Sequence, residues 1–117
     1  MTTWADLKRG HISRRKVMDT LGSVVYAARL ADGTIKIGHT EHFGDRLRCL
    51  KAYTGQEVEL LAFQYGTFED EQAIHATLVE HRTDITVQAR EYYHPTTEVL
   101  AVVNSMRAAL KLPSLAA

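Results

Sequence analysis

The chain has little of the residues that define several common protein classes. Its 117 residues include one cysteine, Cys49, and two prolines. A single cysteine excludes an internal disulfide and favours a reducing compartment, so we expect a cytoplasmic protein. No run of about 18 apolar residues is present to span a membrane, and the N-terminus shows no apolar stretch typical of a secretion signal. A composition of 45% hydrophobic and 24% charged residues predicts one ordinary globular domain.

The chain also lacks an excess of either charge, because 14 Lys and Arg balance 14 Asp and Glu. This neutrality argues weakly against binding to bulk nucleic acid, which usually needs a basic excess. However, residues 1–20 hold five basic side chains and two acidic ones. This basic leader is compatible with an arm that contacts phosphates through Arg14, Arg15 and Lys16, or with a solvated charged segment. We therefore predict a helical or arm-like segment at 1–22, a domain at 23–112 and a C-terminal tail at 113–117.

Familiar metal and nucleotide motifs are missing as well. The six histidines and one cysteine show neither paired cysteines nor a His-Glu-x-x-His pattern, which argues against structural zinc. No P-loop, G-x-G-x-x-G or Gly-x-Ser-x-Gly sequence is present. Any chemistry therefore depends on residues that come together from separate elements.

The hydrophobic pattern predicts strands in the first half of the chain. Residues 24–30 are apolar and rich in strand formers, and Asp32-Gly33 is a strong hairpin signal before a returning strand at 34–38. A third strand is expected at 57–66. These segments predict a three-stranded antiparallel sheet.

Helical spacing predicts three helices that pack on this sheet. The first covers 41–53, where Phe43, Leu47 and Leu50 fall on one stripe. The second begins at Thr67 as N-cap with Asp70 at the third helical position, and extends to about residue 82. The third begins at a Thr97 cap and continues until Pro113. The order of elements predicts an α+β fold with a small sheet flanked by helices.

The predicted hairpin carries two triplets, Val24-Val25-Tyr26 and Lys36-Ile37-Gly38, that resemble the signature of the GIY-YIG nucleases. The first family triplet ends in Tyr, as here, whereas the second normally opens with Tyr where this chain has Lys36. Lysine at this place resembles a phage-associated branch, in which Ile-Lys-Ile-Gly precedes an aromatic residue and Ser or Thr. The resemblance continues with Arg46 on the next helix and Glu91 before the last helix, and it covers residues 23–107.

This resemblance implies a small endonuclease that cuts nucleic acid, with DNA as the expected substrate and one Mg²⁺ or Mn²⁺ ion as cofactor. It implies that Tyr26 deprotonates or positions water, that Arg46 clamps the phosphate and that Glu91 holds the metal. A phenol has an ordinary pKa of about 10, so it needs a nearby cation near neutral pH, and Lys36 is the candidate. Because no separate recognition module is evident, a homodimer or a partner protein would supply specificity.

Three further residues are candidates for a role at this site. We assign Arg48 to solvent or to a phosphate, and His39 to substrate contact or to an ordinary loop position. His75 shares one face of the second predicted helix with Glu71 at i and i+4. Either the two form a structural hydrogen bond beneath the surface, or His75 reaches the cleft as a proton shuttle or phosphate donor. We keep His75 as a candidate catalytic residue, with both interpretations open.

A second class of function also fits the sequence. The replacement of the usual Tyr by Lys36 and the neutral net charge favour a catalytically silent module that binds nucleic acid or protein. Convergence of Tyr26, Lys36, Arg46 and Glu91 on one cleft would favour the enzyme instead.

Overall fold

The computed structural model describes residues 21–83 and 92–116. Its elements in chain order are β1 (Val24–Leu30), β2 (Ile35–Thr40), α1 (Phe43–Thr54), β3 (Val58–Tyr65), α2 (Phe68–Thr77), a 3₁₀ turn (Val79–His81), β4 (Tyr92–Tyr93) and α3 (Thr97–Ala109). The predicted α+β fold, an antiparallel sheet flanked by helices, is confirmed. Among the described residues, no helix is both long and apolar enough to cross a membrane.

The hairpin between β1 and β2 turns where the sequence predicts it. Leu30 N donates to Thr34 O at 2.9 Å, and Gly33 has a positive φ of 91° that favours glycine. The Asp32 side chain accepts a hydrogen bond from Thr34 N at 2.9 Å, as turn-forming aspartates do. This turn sets the register that places Ala28 opposite Lys36 and Tyr26 opposite Gly38.

The sheet has four strands in the order β3-β1-β2-β4, all antiparallel, which corrects the prediction of three. The additional strand, β4, pairs Tyr92 with Lys36 and Tyr93 with Ile35. On its other side, Thr83 N donates to Tyr92 O at 3.0 Å. Two residues are too few to show a strand periodicity, so only this pairing defines β4.

The two faces of the sheet bury separate apolar clusters. One face, here called the α1 face, packs Val24, Tyr26, Ala28, Leu30 and Phe63 against Phe43 and Leu50 of α1. The opposite face, the α2–α3 face, buries Val25, Ala27, Ile35, Ile37, Leu61, Ala62 and Tyr93 with Leu78, Val99, Val103 and Met106. Because side chains alternate along a strand, neighbouring residues of β1 and β2 point to opposite faces. In β3, the register shift opposite Ala27 and Ala28 allows the consecutive residues Leu61 and Ala62 to be buried on the same α2–α3 face.

The helix boundaries confirm one predicted cap, correct another and correct the end of one helix. Thr67 and Asp70 form a reciprocal capping box at α2, as predicted. α2 ends at Thr77 and not near residue 82, because the backbone of residues 81–83 is hydrogen-bonded to β4 and to the residue after it. Thr83 N donates to Tyr92 O at 3.0 Å, and His94 N donates to His81 O at 2.9 Å. The cap of α3 is Thr96, one residue before the predicted position.

The segment after α3 returns along that helix. The Asn104 side chain accepts from Leu115 N at 2.7 Å and donates to Leu115 O at 3.2 Å. Arg107 Nε donates to Pro113 O at 2.8 Å, and its Nη1 donates to Leu61 O of β3 at 2.7 Å. Residues 113–115 of the predicted tail are therefore held by side chains of α3.

Candidate functional site

Tyr26 and Gly38, from the two triplets of the hairpin, are cross-strand partners on β1 and β2. The Tyr26 ring lies across Gly38 so closely that a Cβ at position 38 would come within 2.7 Å of the phenol oxygen. On its other side, the ring packs against Phe43 of α1, with centroids 5.4 Å apart, and Tyr26 is fully buried. Gly38 therefore provides the space that this tyrosine occupies.

Lys36 lies on the same α1 face as Tyr26. Its cross-strand partner is Ala28, two residues beyond Tyr26 on β1, and directly opposed residues project to the same side of a sheet. Lys36 is only 6% exposed, and its Nζ lies 4.8 Å from the centroid of the Tyr92 ring on β4. A cation in this position over an aromatic face is stabilised by the ring.

The two arginines of α1 have different surroundings. Arg46 is exposed and, within residues 21–83 and 92–116, its guanidinium makes no hydrogen bond or ion pair, so a phosphate can reach it. Arg48 donates to Asp45 at 2.8 Å, and this hydrogen bond together with the charge of Asp45 raises the pKa of Arg48. Of the two, Arg46 is therefore the arginine without an ion-pair partner among the described residues.

His39 lies within β2 and not in a loop, which corrects one of its two sequence interpretations. Its Nε2 is 2.7 Å from Ser23 Oγ, and that hydroxyl donates to Gly66 O at 2.5 Å. Since a hydroxyl has one proton, the Nε2 of His39 is the donor in this contact. His39 is opposite Val25 and packs edge-on against Phe68, so it belongs to the α2–α3 face.

A second group of polar residues, the Glu71–His75–Tyr93 cluster, is buried on the α2–α3 face. Glu71 is 2% exposed, His75 4% and Tyr93 0%. His75 Nε2 lies 3.3 Å from Glu71 Oε1, and His75 Nδ1 is hydrogen-bonded to the Tyr93 hydroxyl. The two rings are stacked, with centroids 5.6 Å apart and planes inclined by 14°. The buried Glu–His contact considered from the sequence is therefore present.

The charge of Glu71 is stabilised in this buried place. Burial raises the pKa of Glu71, but the hydrogen bond and charge of His75, a hydrogen bond from Gln72 and the positive charge of Lys36 outweigh it. The net result is a pKa below the ordinary value of the carboxyl. Because the helix spacing of Glu71 and His75 was visible in the sequence, their contact was predictable. The bond to Tyr93, 18 residues further on, was not.

Comparison with protein-family models gives a match to the T5orf172 domain over residues 23–107. The chain belongs to the T5orf172 family. This phage-associated family is often grouped with nucleases of the GIY-YIG and HNH types, which suggests a nuclease or nucleic-acid-binding role. The matched region begins just before β1 and extends into α3, so it contains both the hairpin and the Glu71–His75–Tyr93 cluster. No curated protein and no solved structure matches the chain.

The structure brings some of the predicted site residues of this T5orf172 domain onto one face and separates others. Tyr26 and Lys36 share the α1 face, and Arg46 lies on the helix that covers it, whereas His39 and His75 belong to the opposite face. Four predicted residues, Arg14, Arg15, Lys16 and Glu91, lie outside the described residues, so their roles stay predictions.

The metal ligand predicted from the sequence, Glu91, lies outside the described residues. In the part of the chain that the structure describes, no group of three or more His, Cys, Asp and Glu side chains could hold an ion. Tyr26, Lys36 and Arg46 do not supply the carboxylate oxygens that Mg²⁺ prefers. A single carboxylate fits Mg²⁺, since this ion keeps several waters and takes further ligands from substrate phosphates.

Proposed function

We propose that this T5orf172 protein is a metal-dependent endonuclease that hydrolyses phosphodiester bonds, with DNA as its substrate. The observation that carries the proposal is the packing of Tyr26 across Gly38 on the same sheet face as the buried Lys36. The phenol and the ammonium group lie on the face covered by α1, the helix that carries the exposed Arg46, and together with a divalent ion they would supply the groups that phosphodiester hydrolysis requires. The family relationship is compatible with this activity.

In the proposed reaction, Tyr26 takes a proton from the attacking water at its phenol oxygen. The water oxygen forms a bond to phosphorus, the bond between phosphorus and the leaving oxygen breaks, and the leaving oxygen takes a proton from solvent. The positive charge of Lys36 favours the phenolate, which is the form of the side chain that can accept this proton. Arg46 clamps the scissile phosphate, because its guanidinium offers donors in a fixed fork to the developing negative charge. Tyr26 is assigned to the water and Arg46 to the phosphate, whereas Lys36 acts through its charge on the Tyr26 phenol.

Glu91 would hold the divalent ion. When bound, Mg²⁺ supplies charge neutralisation at the phosphoryl and leaving oxygens. Arg14, Arg15, Lys16 and Arg48 would contact the backbone of the nucleic acid and strengthen binding without reading its sequence. His39 remains a candidate for substrate contact. Specificity would then come from a second copy of the chain or from a partner protein.

Burial of the central residues favours a second function. Tyr26 is 0% exposed and Lys36 is 6% exposed, so bulk water has no direct path to the phenol in this conformation. A nucleic-acid-binding module without hydrolytic activity would need only the exposed cations. Catalysis requires that substrate binding open a route to Tyr26, whereas binding alone does not.

A plasmid-nicking assay separates the two functions. Supercoiled DNA is incubated with Mg²⁺ or Mn²⁺ and with the wild type, Tyr26→Phe, Arg46→Ala or Glu91→Ala. Arg29→Ala is the control, because Arg29 of β1 is paired with Glu59 of β3 at 2.9 Å and has no assigned role. We expect nicking by the wild type and by the control only, and loss of nicking when the metal is chelated. Equal nicking rates, or the absence of nicking, for all five proteins would overturn the proposed endonuclease function.

A binding titration tests the second function directly. The wild type is titrated with duplex DNA, single-stranded DNA and RNA at two salt concentrations. Contacts with phosphates release counterions, so added salt must weaken binding. Salt-sensitive binding without nicking under any metal supports the silent module, and nicking of one nucleic acid identifies the substrate.

A further inference from the structure

The Glu71–His75–Tyr93 cluster has no part in the reaction proposed above, although it places three polar side chains in the interior. Burial of polar groups costs free energy unless each finds a partner. Here the partners come from two elements, since Glu71 and His75 are one turn apart on α2 and Tyr93 belongs to β4. The cluster therefore attaches β4 to α2 by side chains.

β4 is a short strand with little to hold it in register. In the part of the chain that the structure describes, it contains two residues and pairs with β2 at Ile35 and Lys36. Its other neighbour is the segment at Arg82 and Thr83, which contributes a single bridge and one hydrogen bond to Tyr92 O. Isolated short pairings of this kind are marginal by themselves, so a buried side-chain anchor has a strong effect on them.

The alternation of β4 connects the cluster to the α1 face. Tyr93 points to the α2–α3 face, where its hydroxyl bonds to His75. Its neighbour Tyr92 therefore points to the other face, where its ring lies beneath Lys36 Nζ. His75 thus contacts Tyr93, and the next residue in the chain, Tyr92, contacts Lys36.

We propose that Glu71 and His75 are positioning residues that act through Tyr93. They hold β4 in register with β2 and so keep the Tyr92 ring beneath the Lys36 ammonium group. Glu71 Oε1 lies 3.3 Å from His75 Nε2, a charge contact without hydrogen-bond geometry, and it attracts this edge of the ring while Nδ1 is directed at the Tyr93 hydroxyl. The catalytic consequence rests on the proposed endonuclease function, but the structural consequence for β4 does not.

The structural consequence is tested by amide hydrogen exchange. Tyr93→Phe keeps the ring and removes only the hydroxyl. Two amides report on β4: the Thr83 amide donates to Tyr92 O, and the His94 amide, which directly follows β4, donates to His81 O. We expect exchange at both amides to accelerate about tenfold while the Gly66 amide at the β1 end is unchanged. Val103→Ala, which removes apolar volume from α3 without removing a hydrogen bond, is the control and should not reproduce this local pattern. Unchanged exchange at Thr83 and His94 in Tyr93→Phe would overturn the proposal.

The catalytic consequence is tested by a double-mutant cycle with Tyr92→Leu, which removes the ring beneath Lys36. Tyr93→Phe, His75→Gln and Glu71→Gln should each lower kcat for plasmid nicking about tenfold with little change in KM. In the Tyr92→Leu background the same changes should have less than a twofold further effect, because they act through Tyr92. If the losses in kcat were additive with that of Tyr92→Leu, the cluster would act independently of Lys36 and the proposal would be wrong. If only His75→Gln still lowered kcat in the Tyr92→Leu background, His75 would have a direct role and would not act through Tyr93. If the wild type does not nick DNA, the proposed endonuclease function is wrong. The hydrogen-exchange experiment still decides whether the cluster holds β4 in register.

Discussion

The phenol oxygen of Tyr26 lies 2.7 Å from the point where a Cβ on Gly38 would stand, and the two residues are directly opposed on β1 and β2. The Tyr26 ring therefore needs a residue without a side chain at position 38, and it occupies the space that Gly38 leaves open. Because Phe43 closes the opposite side of the ring, the phenol is fixed between β2 and α1.

Substitution of Gly38 by alanine should destabilise the fold and displace Tyr26. Three atoms of the phenol ring lie within 2.9 Å of the added Cβ, and the ring cannot retreat because it is buried against Phe43. We expect the free energy of unfolding to fall by about 1–3 kcal/mol, as for other overpacked cores. Denaturant unfolding measures this change. Gly66→Ala should cost less, since its nearest contacts are side-chain atoms at 3.1 Å, and equal stability of wild type and Gly38→Ala would contradict the account.

Arg46 and Arg48 form a matched pair for testing the phosphate clamp, because both are exposed on α1 and only Arg48 is paired with Asp45. Arg46→Ala should lower the nicking rate about a hundredfold, the typical effect of removing a donor to transition-state charge. Arg48→Ala should weaken DNA binding a few fold and reduce its salt dependence. Single-turnover nicking and binding titrations check both, and thermal unfolding should show little change for either surface substitution. Equal nicking rates of the two variants would refute the assignment.

The depressed pKa of Glu71 makes part of the stability depend on pH. The folded state holds this carboxylate ionised below its ordinary pKa of 4.5, so its contribution is fully present above that value. As the pH falls through 4.5 towards the lower folded pKa, protons bind more readily to the unfolded chain and the contribution is lost. Urea unfolding of the wild type and Glu71→Gln between pH 3 and 7 should therefore show a difference that is largest near neutral pH and shrinks in acid. A constant difference across this range would contradict the shift.

The capping box of α2 should contribute measurably to stability. Thr67 Oγ1 accepts from Asp70 N at 3.3 Å, and Asp70 Oδ2 accepts from Thr67 N at 2.7 Å. Thr67→Ala removes the first of these bonds, and we expect a loss of about 1 kcal/mol. Thr77→Ala serves as the control, because its hydroxyl bonds only to Ile74 O within the exposed last turn. Equal losses for the two variants in denaturant unfolding would argue against a specific capping effect.

Much of the local structure was predictable because it depends on neighbours in the sequence. The Asp32-Gly33 turn, the alternation of β1 and β2 and the Thr67 cap all involve residues within a few positions of each other. The spacing of Glu71 and His75 on one helix face belongs to the same class. The resemblance of the two triplets to a nuclease signature likewise agrees with the T5orf172 match at residues 23–107.

The sequence by itself determined the hairpin, the order of the helices and the two polar groups at one turn of α2, since short-range hydrogen bonds and hydrophobic periodicity act within each segment. Only the tertiary structure decided that Tyr92 and Tyr93 form a fourth strand, that α2 ends at Thr77 and that His39 and His75 lie on the face opposite Tyr26. These outcomes depend on backbone pairing and side-chain contacts between residues distant in sequence. Arg82 and Thr83, for example, leave the helical turn and pair with β4. Local sequence patterns do not predict such pairings, because these contacts contribute free energy only when distant segments of the chain meet in the folded state.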